Sequence, residues 1–120
     1  MMQVTELEVW KASMDLTEAI FKLSQQFPEM ESHGLAYQIR QSVTKIPSHV
    51  AAAASRKFGN ESLNHLMSAK THLYETESLL HLANRIAYIS DEELVQHMEN
   101  LDTTRKLLFG FIKYYKRSSK

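Results

Sequence analysis

Leu35, Ile39, Val43, Ile46 and Val50 are separated by four, four, three and four positions, so they fall on one stripe of an α-helix. The stripe keeps its phase straight through Pro47. Had the proline opened a new helix, Ile46 would be its N-cap, and isoleucine caps poorly. The spacing predicts one helix over about 32–55, capped by Ser32 and bent at Pro47. Such a proline removes a backbone hydrogen bond and crowds the Val43 carbonyl, costing ~3 kcal/mol or more in a straight helix.

The same period recurs on both sides. Val9, Leu16, Ile20, Leu23 and Phe27 predict a helix over about 6–26, and Pro28 ends it because the residue before a proline is pushed out of the helical region. After Gly59, with Asn60 as cap, a third helix is predicted over about 61–88. Within it Leu66, Leu73 and Leu80 recur every seven residues, with Ser62, Ala69, Thr76 and Ala83 between them. That alternation of large and small is a coiled-coil-like seam. Ser90 and Glu93 form a capping-box pattern for a fourth helix over about 91–116, where Arg105 and Gly110 interrupt the apolar stripe.

Three glycines and two prolines are too few for a turn-rich β-fold, and apolar–polar alternation is missing. The expectation is an all-α chain, one domain over 1–120, folded as an antiparallel up-down four-helix bundle. Extra apolar positions such as Phe109 and Phe111 exceed what one bundle interior needs and point to self-association. The longest apolar run, Leu107 to Ile112, is far short of the ~20 residues of a membrane span. The opening segment, MMQVTELEVW, is acidic and has no apolar signal core, so a cytoplasmic protein is expected.

Chemistry is sparse. With no cysteine there is no disulfide, thiolate ligand or thiol nucleophile. No glycine-rich phosphate loop and no G-x-S-x-G elbow occurs. None of the six histidines follows a glutamate by three residues, as a di-iron bundle site requires. Glu61/His65, Glu77/His81 and Glu93/His97 are spaced by four, the spacing of surface pairs. His65 and His72 lie about two turns, ~10 Å, apart, too far to share an ion. Glu75 and Glu77 point ~200° apart on a helix, so one faces solvent and the other the core margin or an interhelical partner. No enzymatic activity, metal, cofactor or small-molecule substrate is expected.

Basic residues are the functional lead. The formal net charge is zero, which argues against a strongly basic nucleic-acid-binding domain, yet residues 113–120 hold Lys113, Lys116, Arg117 and Lys120 with no acid. Lys45 and Arg56, eleven residues apart, share a face in a straight helix, bracketed by Arg40 and Lys57. Arg40, Lys45, Arg56, Lys57, Lys113, Lys116 and Arg117 are the candidate contacts to RNA or DNA phosphates. The bland reading is a solvated helix face and a frayed tail.

Gly34-Leu35, Gln38-Ile39-Arg40 and Ile46-Pro47, followed by Arg56 and Glu75-Thr76-Glu77, resemble the bacterial four-helix-bundle proteins of 23S ribosomal RNA intervening sequences. The resemblance spans about residues 7–115. It implies a ring-like homo-oligomer, a pentamer, without established enzymatic activity. It also implies a fold shared with retroelement accessory proteins that bind nucleic acid. This chain departs from the usual IPANIAEGxGR at His49, Ala52, Ala53 and Ser55, and carries Thr71-His72 where Gly-Ser is common. The implied function is a non-catalytic binding or scaffold module associating with itself and with RNA or DNA; the alternative is a protein-interaction assembly that never touches nucleic acid.

Overall fold

A computed structural model describes residues 3–56 and 59–118. Its helices are α1 (Glu8–Ser24), α2 (Leu35–Ala54), α3 (Asn60–Arg85) and α4 (Asp91–Ser118). Short 3-10 turns at Val4–Glu6 and Glu29–Glu31 precede α1 and α2. Each helix packs on its neighbours in sequence and α4 closes back on α1, which makes an antiparallel up-down four-helix bundle. Its extents are 47 × 25 × 21 Å, so two poles lie at the ends of a long axis. No described helix is long and apolar enough to cross a membrane.

The core follows the predicted stripes. Leu35, Ile39, Val43, Ile46 and Val50 are buried on α2, and the whole large–small seam of α3 is buried from Ser62 to Ala83. Small seam residues let α2 and α3 approach closely, and this interface is the most extensive of the bundle. Pro47 is buried and α2 runs unbroken through it. The Val43 carbonyl, left without its helical donor, instead receives the Thr17 hydroxyl of α1 at 3.2 Å. That hydroxyl also reaches the Ser13 carbonyl at 2.7 Å, so one hydrogen is shared between two acceptors.

Helix ends depart from expectation more than helix middles do. Ser32 does not cap α2, which begins at Leu35 after a 3-10 turn. The Glu31 carboxylate does that work: Oε1 accepts the Leu35 N–H at 3.0 Å and Oε2 accepts the Tyr88 hydroxyl at 2.6 Å. Gly34 makes room, because a Cβ there would collide with the Glu31 carboxylate. Asn60 is the first residue of α3, and Gly59 before it holds φ at +152°, open to glycine. At the other end α3 stops at Arg85, short of the predicted Tyr88. Ala87 takes a left-handed φ of 65°, with its N–H on Asn84 O (3.0 Å) and that of Tyr88 on Ala83 O (2.8 Å). This is a Schellman closure with alanine where glycine is usual.

The capping box of α4 forms as expected: Ser90 N–H donates to Glu93 at 2.9 Å, and Glu93 N–H donates to the Ser90 hydroxyl at 3.1 Å. Gln26 at the end of α1 donates to both the Glu93 carboxylate (3.0 Å) and the Tyr88 carbonyl (3.1 Å). One pole is therefore a mesh of Gln26, Glu31, Tyr88 and Glu93 joining both helix corners. Hydrogen bonds from Leu35 N–H and then Tyr88 lower the Glu31 pKa, and those from Ser90 N–H and then Gln26 lower that of Glu93. Gly110 does not end α4, which runs on to Ser118.

Candidate functional site

The opposite pole gathers most of the candidate cations. The Ala53 carbonyl near the end of α2 accepts the Ser62 hydroxyl of α3 at 3.1 Å and the Tyr115 hydroxyl of α4 at 3.4 Å. Three helices thus meet at one atom, and burial pushes the Tyr115 phenol pKa up. Arg56 emerges beside this junction, and Lys113, Lys116 and Arg117 are exposed on the last turns of α4. No acid follows Asp102 on α4, and no described carboxylate pairs with these three. Arg56 is engaged: Nε meets Glu61 at 3.1 Å and Nη1 donates to Ala52 O at 2.9 Å. Lys57 lies outside the described residues.

Arg40 and Lys45 do not join them. Arg40 sits sixteen residues before Arg56, or ~24 Å along the axis. It is a strut, with Nε donating to Ser24 Oγ at 2.7 Å and the guanidinium 5.7 Å from the centre of the Phe21 ring. Nor do Lys45 and Arg56 share a helix face, since α2 ends at Ala54.

Lys45 instead lines an open groove of about 440 Å³ between α2 and α3, with Tyr37, Gln41, Ser42, His72 and Glu75. Ser42, which lines it, hydrogen-bonds the buried Thr76 hydroxyl at 3.0 Å, and Thr76 donates to His72 O at 2.8 Å. Beside it three histidines collect. His49 Nδ1 is 2.9 Å from His65 Nδ1, and the His49 ring stacks on that of His72 with centroids 5.7 Å apart. His65 and His72 are joined through His49, which spacing within α3 could not reveal. Burial, and then the neighbouring His65, hold the His49 pKa below the usual imidazole range. Among the described residues no group of three or more histidines and carboxylates is arranged to hold a metal ion.

No side-chain hydrogen bond or close ion pair joins the Glu–His pairs four residues apart. Glu61 goes to Arg56, Glu93 to the capping box, and the His97 ring nitrogen to the Glu93 backbone carbonyl at 2.8 Å. Glu77 pairs across to Arg105 of α4, whose guanidinium also lies 5.2 Å from the centre of the Tyr74 ring. Arg105, which interrupted the apolar stripe, therefore forms an interhelical tie. Glu75 faces the groove, against His72 Nδ1 at 2.6 Å.

The sequence matches the family described as 23S rRNA-intervening sequence protein over residues 5–110. The chain belongs to that family. A solved structure from the S23 ribosomal protein family of Bacteroides thetaiotaomicron VPI-5482, described as of unknown function, superposes with a TM-score of 0.80 at 26% identity. The match covers 88% of this chain and 98% of that one. No curated protein matches.

Proposed function

We propose that this family member is a non-catalytic subunit of a homo-oligomeric scaffold, pentameric by resemblance, that associates with RNA or DNA through its basic pole. The observation that carries the reading is an exposed, acid-free end of α4 bearing Lys113, Lys116 and Arg117, at the same pole where Arg56 follows α2. Cations in the last turn of α4 also favour its helix dipole, by ~0.3–1 kcal/mol each. That benefit fades within one turn, whereas the acid-free stretch runs from residue 103 to 118. Self-association is supported by Met14, Phe21, Tyr37, Tyr74, Leu82 and Val95, which a solitary bundle leaves exposed.

The Arg56–Glu61 pair favours a second reading, a protein-binding assembly without nucleic acid, because it neutralises one cation of the pole. Fluorescence anisotropy with structured RNA and duplex DNA across a salt series separates the two. Binding that weakens steeply with salt, and is lost when Lys113, Lys116 and Arg117 become glutamine, supports the pole. No binding at low salt overturns it in favour of the second reading.

A further inference from the structure

On α4 the basic pole is one edge of a groove. Between the start of α1 and the last turns of α4 lies an open apolar cleft of about 310 Å³, walled by Leu7, Leu107, Phe111 and Tyr114. Its floor on α4 is Gly110, where an added Cβ would meet no atom within 4 Å. At 3.6 residues per turn, Lys106, Lys113 and Arg117 all project within ~60° of Gly110, on the side away from Phe111. Lys106 lines the cleft directly and all three are exposed. Lys116 points ~120° away from Gly110. Tyr114 is 54% exposed, and its ring lies nearly parallel to that of Phe111, 9° apart with centroids at 6.5 Å. Glu8 is the acid of the cleft, and it turns toward Lys11 at 3.6 Å.

A flat apolar floor, an aromatic wall and a row of cations on one rim match an unpaired nucleotide: a planar base joined to an anionic phosphate. A duplex hides its base faces and could use only the cations. We infer that this groove binds single-stranded nucleic acid, a base lying over Gly110 against Tyr114 and its phosphates along Lys106, Lys113 and Arg117. The inference rests on the reading of the basic pole and names the strand state that it selects. Lys106, absent from the sequence-based candidates, becomes a contact. From Lys106 to Arg117 the row runs ~16 Å, enough for a short run of nucleotides.

The test is anisotropy of the full chain with a labelled oligouridylate and with a hairpin duplex of matching length. Wild type is expected to prefer the single strand. Tyr114→Ala should weaken it about five- to a hundredfold while leaving the salt slope unchanged, because stacking carries no counterion release. Lys106→Gln should flatten the slope by about 0.7. Gly110→Leu fills the floor yet improves helix propensity, so it should fold at least as well as wild type and lose single-strand binding tenfold or more. Wild-type affinity in both Gly110→Leu and Tyr114→Ala overturns the groove, and a Gly110→Leu change in oligomer size overturns it in favour of a subunit contact. If those variants still bind while neutralising Lys113, Lys116 and Arg117 abolishes binding, the pole stands and the groove falls. If wild type binds neither probe at low salt, both readings fall.

Discussion

The Thr17 hydroxyl of α1 lies 3.2 Å from the Val43 carbonyl of α2, the acceptor that Pro47 deprives of its helical partner. A neighbouring helix has taken over the bond that proline removed. Thr17→Val should therefore destabilise the bundle by ~1–3 kcal/mol, since it leaves a buried carbonyl without a donor. In a Pro47→Ala background, where the restored backbone N–H could donate to Val43, the same change should cost clearly less. Urea unfolding of the double-mutant cycle reads the difference, and equal costs in both backgrounds would refute the coupling.

Ala87 closes α3 in a left-handed conformation, at a backbone cost that glycine does not bear. Ala87→Gly should raise stability by roughly 0.5–1 kcal/mol, with the rest of the structure unchanged. A lower thermal midpoint would show that the Schellman geometry is not what limits this corner.

Backbone and side-chain hydrogen bonds hold the folded pKa values of Glu31 and Glu93 below the ordinary carboxylate value. The unfolded chain therefore binds their protons more readily than the folded one. Their contribution is present above the ordinary carboxylate value and is lost as pH falls through the lowered folded values. Melts from neutral pH downward should show stability dropping below about 4.5, and Glu31→Gln should remove part of that drop. Gly34→Ala, which displaces the Glu31 carboxylate, should mimic Glu31→Gln at neutral pH.

His49 adds a dependence of the same sign in a higher pH window. Its folded pKa is lowered by burial and by His65, so the unfolded state takes up protons first as pH falls through about 6.5. Stability should decline from about pH 7.5 to about pH 5.5, and His49→Asn should flatten that slope. The groups facing this ring are His65, His72 and Lys45, and none is an acid that could compensate. A slope unchanged in His49→Asn, measured by urea midpoints, would assign the dependence to another group.

Helix middles were legible because a period of 3.6 encodes which face is buried. Leu73 and Thr76 declare their side of α3 without reference to any other helix. What lies across an interface is not encoded that way. Glu77 had a histidine one turn away and took Arg105 of another helix. His49 was read as a departure from a motif, and only packing sets it between His65 and His72. The expected cap of α2 failed for a related reason: Ser32 has the right chemistry, but the 3-10 turn brings the longer Glu31 side chain to Leu35 instead. Lys106 escaped notice because it precedes an apolar run, and its value comes from Gly110 one turn later and from Leu7 on α1.

The cleft has one wall near the start of the chain, at Leu7, and another near its end, at Tyr114. Any polypeptide joined to either end therefore emerges beside the same surface and is tethered there at an effective concentration on the order of millimolar. An acidic or aromatic extension would act as a built-in competitor, and an affinity tag would do so unintentionally. Binding measured with tagged and with cleaved protein should differ most where the tag is shortest and most anionic.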